Sequence, residues 1–343
     1  MTTFADGLYQ FGGMPMFGAV PPFVSRYAKT FFVDPVNGLE GNDGYSPDRA
    51  LKSLYRAHKL CTAGQNDVVY LIGTGAAAGT CRLSTANAIA GDSSLTTGEL
   101  IWSKNATHLI GIAGPGINAR ARLANPTGTY TAATFGSNTF MTVSGAGCYI
   151  ANISLTQSFS TGNASEITLV VSGSYNIFNN VFLSGGLSAA AYGGTGSRAL
   201  KISAGGENLF QNCQIGADTV TRSVANANLE LASGAPRNVF RKCVFAMYTS
   251  SATSLFGKVG TGGCDRFTLF DDCLFSNAMD SGSTALTGAF NLAASAGGCL
   301  VIKNSGLVGD GSANWADDAT GLAQMYVDNV GGAATAGLML NPT

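Results

Sequence analysis

A six-residue motif recurring about every 30 positions predicts an all-β chain wound as a right-handed parallel β-helix (a solenoid), with an extended N-terminal arm and one N-terminal capping helix. Copies begin at Ile150, Phe178, Phe210, Phe240, Phe270 and Ile302, so successive starts differ by 28, 32, 30, 30 and 32 residues. A second short apolar stretch precedes most copies: Met141-Thr-Val143, Leu169-Val-Val171, Leu200-Lys-Ile202 and Leu229-Glu-Leu231, each followed within three residues by Ser or Gly. Composition agrees. Of 343 residues 46 are Gly, 45% are hydrophobic and only 11% are charged, which suits a large core closed by small-residue turns.

Along the chain, residues 1–30 read as the arm, 31–65 as a first strand, a Gly-rich turn and the capping helix, and 66–343 as the coils. The arm carries Phe4, Leu8, Tyr9, Phe11, Met14, Met16, Phe17, Phe23 and Tyr27 among Gly and Pro, with neither helical nor strand periodicity. Such a segment cannot build its own core, so burial against another chain is expected, the alternative being a fold back onto its own solenoid. In 46–61, Ser46 is placed to cap a helix beginning at Pro47. Leu51, Leu54, Tyr55 and His58 would share its apolar face, laid over the first coil, with Arg49, Lys52, Arg56 and Lys59 on the opposite face. Such a cover is needed because the ends of a solenoid expose unpaired strand edges. Asp67 to Ile72 then enters as the first strand of the coils.

Within each motif the apolar residues fall at i, i+3 and i+5, which breaks the alternation of a flat strand. One residue must leave the pleat at a tight bend, and Asn152, Asn180, Asn212 or Asn304 occupies that position, where Asn tolerates the left-handed conformation. Lys242 and Asp272 interrupt this series. Stacking would let the Asn side chains hydrogen-bond along the axis. The next position, Ile153, Val181, Cys213, Cys243, Cys273 or Ser305, should point inward, where thiols serve as small apolar fillers. About nine coils of about 30 residues would give a rod near 40 Å long at the strand spacing of about 4.8 Å.

Several function classes are excluded or demoted. With 19 basic and 20 acidic residues the net charge is −1, so no nucleic-acid-binding field is expected. No window approaches the roughly 18 consecutive apolar residues of a membrane span, and no signal peptide is read at the N-terminus. The eight cysteines are too scattered for a stapled scaffold; free, buried thiols from cytosolic synthesis are expected, although stacked ones fall within disulfide reach. No Cys-x-x-Cys pair is present and His58 and His108 are the only histidines, so no zinc site or other cofactor is expected. His58 reads as a satisfied interior imidazole, and His108 has no partner at a motif spacing. The stretch Asp34 to Asp43 suggests either calcium or, as preferred, a Gly-rich turn fastening the cap. Asp271-Asp272 is the one paired carboxylate inside the repeat and falls at the bend; Asp317-Asp318 reads as a solvated turn. Gly12-Gly13, Gly114-Pro-Gly116 and Gly193-Gly194 are turns, none followed by a phosphate-binding helix.

The order Phe31-Phe-Val-Asp34-Pro-Val-Asn37-Gly38, Gly41-Asn-Asp43-Gly44-Tyr-Ser46-Pro47, Leu51-Lys-Ser-Leu54 and Asp67-Val-Val-Tyr-Leu71 resembles the opening of pectate-lyase-like β-helix proteins of tailed bacteriophage particles. The leader Ala5-Asp-Gly-Leu-Tyr9-Gln-Phe-Gly-Gly13-Met-Pro15 resembles the arm of the smaller, head-associated type. That resemblance implies a virion protein made in the host cytoplasm, either on the capsid exterior or in a tailspike. It implies a homo-oligomer as well, a trimer being favoured. The Gly-His-Gly and Arg-x-Lys elements of the family's hydrolases are absent, as are clustered carboxylates with a basic partner.

The first function expected is therefore a non-enzymatic decoration protein docked on the major capsid protein. Its contact would be formed by Tyr9, Phe11, Met14, Met16, Phe17 and Phe23 of the arm with Arg49, Lys52, Arg56 and Lys59 of the cap. The alternatives are a tailspike or tail-fibre part that binds or cleaves host polysaccharide, and a free-standing polysaccharide lyase. A carbohydrate cleft would need an exposed aromatic-and-carboxylate patch along one flank.

Overall fold

The computed structural model describes residues 27–73, 79–84, 97–113, 121–126, 131–159, 165–185, 188–278, 282–309, 314–317 and 324–328, with the backbone of 10–11 and 14–15. Three parallel sheets of ten, eight and seven strands run the length of the molecule, each strand bonded to the equivalent strand one coil away. One coil comprises Thr139–Val143, Tyr149–Ala151 and Ile153–Thr156; the next repeats it as Ile167–Val171, Ile177–Asn179 and Phe182–Leu183. Every coil travels the same way round, so all these pairings are parallel, and the crossovers take the right-handed sense. The expected strand–turn–strand–bend–strand coil is the coil observed.

The interior is a set of columns of like residues. In the ten-stranded sheet Ile150 lies beside Phe178, then Phe210, Phe240, Phe270 and Ile302, all at most 1% exposed. The four phenyl rings stack at centroid distances of 4.6, 4.8 and 4.9 Å, set by the strand spacing. Ile153, Val181, Cys213, Cys243, Cys273 and Ser305 fill the predicted inward slot. Each of the three stacked thiols donates to the carbonyl of a Phe of the preceding coil, at 3.4 Å in every case. Burial pushes the Cys243 thiol well up, which keeps it protonated.

Asn152, Asn180, Asn212, Lys242, Asp272 and Asn304 all adopt the left-handed conformation, with φ between 47° and 58°. Their side chains form less of a ladder than expected. Asn180 donates to Asn152 at 2.9 Å, but Asn212 donates to Asn179 instead, at 3.2 Å. Continuity comes from the backbone: the N–H of Asn180, Asn212, Lys242 and Asp272 each donates to a carbonyl of the next coil at 2.9–3.0 Å. Lys and Asp therefore serve there as well as Asn.

A second Asn column, at the turn entering the ten-stranded sheet, is buried. Asn176, Asn208 and Asn238 are at most 1% exposed. Their Oδ1 atoms accept the backbone N–H groups of Cys148, Asn176 and Asn208 at 2.7, 2.9 and 3.0 Å. This ladder stitches successive coils where the backbone leaves its sheet.

The cap departs from expectation. Pro47–Arg49 is a single 3-10 turn and Ser46 makes no side-chain capping bond. The α-helix is Leu54–Leu60, capped by Ser53, whose Oγ accepts from the N–H of Arg56 at 3.3 Å. The reason lies in the first strand, Thr30–Val33, whose outer edge must be covered. Phe32 N–H donates to Gly44 O at 2.7 Å, Leu51 N–H to Phe32 O at 2.8 Å and Asp34 N–H to Leu51 O at 2.9 Å. Ala50 and Ser53 stay extended and Leu51 bridges to Val33, so the helix begins only after them. Gly44 takes φ 75° at this crossing, and a Cβ on Gly38 would stand 2.2 Å from Leu51 O. Leu51, Leu54, Tyr55 and His58 are buried as expected. Two further helical turns, Ala132–Phe135 and Ala189–Tyr192, lie between coils and are capped by Thr131 and Ser188.

Phe240→Ala should cost roughly 3–5 kcal/mol, Asn238→Ala roughly 2–3 kcal/mol because buried amide partners lose their acceptor or donor, and the exposed Asn212→Ala about 1 kcal/mol or less. Urea denaturation of the three variants checks this order, and an equal cost at Asn238 and Asn212 would contradict the assignment of the buried ladder.

Candidate functional site

Two surfaces carry recognisable chemistry: the helix-capped end and one edge of the ten-stranded sheet. At the capped end the four basic residues do not form one helix face. Arg49 lies in the 3-10 turn and pairs with Asp43 at 2.9 Å, while Lys52 lies in the following bend and its Nζ donates to Val36 O at 3.0 Å. Only Arg56, half-buried, and Lys59, exposed, are on the α-helix. The cause is the same break of the helix at residues 50–53. Of the arm, Gln10–Phe11 and Met14–Pro15 pair as a short antiparallel ladder. The side chains of Tyr9, Phe11, Met14, Met16, Phe17 and Phe23 lie outside the described residues.

The same end presents apolar side chains that the helical pattern did not reveal. Val36, Leu39 and Tyr45 are 44%, 64% and 57% exposed, and Tyr45 stacks on Phe31 at 5.4 Å. Val36 and Leu39 sit in the turn Asp34 to Asp43, where calcium was the alternative, and Tyr45 follows it. Asp34 Oδ1 instead accepts the N–H groups of Val36 and Asn37 at 2.8 and 3.0 Å, and Asp43 Oδ1 accepts that of Tyr45 at 3.1 Å. Burial alone would raise Asp34, yet these backbone donors hold it below the ordinary carboxylate range. Among the described residues no group of three His, Cys, Asp or Glu is arranged to hold a metal ion. Nor, among them, is any helix long and apolar enough to cross a membrane.

Along the sheet edge, Tyr175, Glu207 and Arg237 occupy equivalent positions on three successive coils, each left-handed, with φ 61°, 58° and 51°. Glu207 and Arg237 form an ion pair, and Tyr175 is 64% exposed. Two open depressions flank the pair. The larger, about 400 Å³, is lined by Glu207, Leu209, Arg237, Val239 and Arg241; the smaller, about 200 Å³, by Tyr175, Pro236, Arg237 and Asp265 among others. One exposed aromatic ring and one carboxylate, the latter paired with Arg237, therefore stand along this flank. Its signal in the sequence is weak, because the left-handed position carries a different residue type in each coil.

Glu207, Glu230 and Asp271 are paired with cations of neighbouring coils. Asp271 accepts from Arg241 Nε at 3.2 Å, and Asp272 occupies the bend with φ 58°. Asp317 Oδ2 accepts from Asn291 at 2.8 Å; Asp318 lies outside the described residues. Burial would raise Glu230, but Arg198 and Lys201, at 2.9 and 3.1 Å, hold it down. A cation with neutral partners is buried nearby: Arg222 donates to the side-chain oxygens of Asn226 and Asn228 and lies 4.3 Å from the centre of the Tyr192 ring. It fastens the Ala189–Tyr192 turn to the coil beneath.

No protein-family model matches the sequence. No curated protein matches it either. Among solved structures the fold is similar to pectin methylesterase from Aspergillus niger in deglycosylated form, at 15% identity over 91% of this chain and 94% of that one, TM-score 0.49. It is similar also to a rhamnogalacturonan lyase, at 14% over 84% and 75%, TM-score 0.49, and to pectate lyase Pel9A, at 12% over 87% and 80%, TM-score 0.43. The chain folds as a right-handed parallel β-helix. At these identities the likeness to the pectin-processing enzymes is one of fold.

Both histidines of this β-helix serve as buried, neutral groups. His58 Nε2 accepts the N–H groups of Ser103 and Lys104 at 3.2 and 3.4 Å and packs on Trp102 at 4.6 Å. Lys104 Nζ closes the helix C-terminus through the carbonyls of His58, Lys59 and Cys61 at 2.8, 2.7 and 2.5 Å. His108 Nδ1 accepts from the N–H of Tyr149 at 3.0 Å. Burial pushes both imidazoles down to about 4, with Lys104 adding to the effect at His58.

A depressed histidine pKa means that the unfolded chain binds more protons between about pH 6.5 and the folded value. The stability concerned is complete above about pH 6.5 and is lost as pH falls towards 4, on the order of 3 kcal/mol per histidine. Urea midpoints measured from about pH 7 to about pH 4.5 should fall, and the fall should be shallower in His58→Gln. An unchanged slope in that variant would remove His58 from the account.

Proposed function

We propose that the protein is a non-catalytic structural component of a tailed-phage particle, docked on the outside of the capsid through its arm and helix-capped end. The observation that carries this reading is the exposure of Val36, Leu39 and Tyr45 on the segment that also carries Arg49 and Lys52. Apolar side chains set among charges of both signs, Asp34, Glu40, Asp43 and Asp48 with Arg49 and Lys52, suit a protein contact in which the apolar residues supply affinity while the charges set orientation and association rate. The order of residues from Phe31 to Asp67, similar to that of phage-particle β-helix proteins, supports the virion origin, and the leader Ala5 to Pro15, similar to the arm of the head-associated type, supports the major capsid protein as partner. The ion pairs that tie up Glu207, Glu230 and Asp271 also favour a scaffold over an acid/base catalyst.

Quantitative mass spectrometry of purified particles tests this directly. A copy number that scales with the shell lattice is expected, and a handful of copies would move the protein to the tail. Leu39→Asp should lower occupancy on the particle at least tenfold with an unchanged melting curve, as for loss of an apolar anchor.

The patch at Tyr175, Glu207 and Arg237 favours a second reading, in which the flank binds host polysaccharide. Tyr175 would stack on a sugar ring while Glu207 and Arg237 hydrogen-bond its hydroxyls. Binding of purified host glycan, weakened at least tenfold by Tyr175→Ala, would establish it; equal binding by both forms, or none, would remove it.

A further inference from the structure

The outer face of the ten-stranded sheet carries an apolar column that the capsid docking does not use and whose Leu209 and Val239 line the larger depression beside the Glu207–Arg237 pair. Tyr149, Ile177, Leu209, Val239, Leu269 and Val301 stand in register on six successive coils, each partly exposed. Such a flat, regular stripe is a hydrophobic face rather than scattered surface residues. One border of the stripe carries Tyr175, Glu207, Arg237 and Phe267; the other runs through Ala151, Asn179, Gln211, Arg241, Asp271 and Lys303.

We propose that this face seats a second copy of the chain, rods antiparallel, about a twofold axis passing between the strands Leu209–Gln211 and Asn238–Arg241. That operation sets Leu209 against Val239 of the second copy, Ile177 against Leu269 and Tyr149 against Val301, so the apolar column meets itself along its whole length. Glu207 meets Arg237 of the second copy, and the reverse, giving a ring of four alternating charges. Arg241 meets Gln211, Asp271 meets Asn179 and Lys303 meets Ala151, so no like charges face one another. The two aromatic residues exposed on the border, Tyr175 at 64% and Phe267 at 36%, are brought together.

A parallel arrangement is disfavoured by the same residues. With the rods parallel, each border meets the opposite border at the same height, which places Arg237 against Arg241. The face measures about 24 Å by about 20 Å, so on the order of 1,000 Å² would be buried in total, the size of a weak but specific interface.

Sedimentation of the full chain should show a concentration-dependent dimer. Arg237→Glu should raise its dissociation constant at least tenfold, and Glu207→Arg with Arg237→Glu should restore it to within about threefold. A cross-linking test separates the orientations. Positions 177 and 269 lie three strands apart within one chain, about 14 Å, beyond disulfide reach. Ile177→Cys with Leu269→Cys should therefore give a covalent dimer on mild oxidation with diamide, and neither substitution alone should do so. Cross-linking by Ile177→Cys alone, a trimer, or a monomer at every concentration up to about 100 µM would overturn the proposal.

Discussion

In-register stacking of coils is the constraint on which everything else rests. Because parallel strands pair residue by residue with the same strand one turn away, each interior position becomes a column along the rod. Phe178, Phe210, Phe240 and Phe270 stack not because aromatic pairs are strongly attracted but because the backbone holds their Cα atoms one strand spacing apart. The same spacing lines up Cys213, Cys243 and Cys273 and threads Asn176, Asn208 and Asn238. A residue inserted within a strand would turn every following side chain to the other face; variation in coil length is therefore confined to the loops.

Corners obey a different rule. The residue at each bend adopts a left-handed conformation that costs a side-chain-bearing residue about 1–2 kcal/mol. It is held because its N–H donates to the next coil, as for Asn180, Asn212, Lys242 and Asp272. The requirement is on the backbone, and the side chain at such a position points outward and is free to vary. That freedom places Tyr175, Glu207 and Arg237 side by side on one edge, where Glu207 and Arg237 pair between successive coils.

The motif starting at Ile150 was legible because it records interior columns, and apolar periodicity is what burial imposes on a sequence. The bend at Asn152 was legible for a related reason, since i, i+3, i+5 spacing cannot be a flat strand. The extent of the cap helix was not. Ser46-Pro47 is a sound local start signal, yet hydrogen bonds from Phe32 and Asp34 to residues 44 and 51 outweigh it, and Ser53 becomes the cap. Those bonds join positions far apart along the chain, which local propensity does not see. The exposed Val36, Leu39 and Tyr45 were hidden likewise, because apolar residues in a Gly-rich turn do not reveal which way they face.

Neighbouring residues alone made the coil legible: its length, its three short strands, the bend and the inward slot. These follow from burial and backbone geometry acting on neighbouring residues. Tertiary structure decided what the outside is. Which coils stand beside one another at which height set the Glu207–Arg237 pair, the depressions around it, and the apolar column from Tyr149 to Val301. No local pattern encodes those alignments, because they arise only when residues about 30 positions apart are brought within one strand spacing.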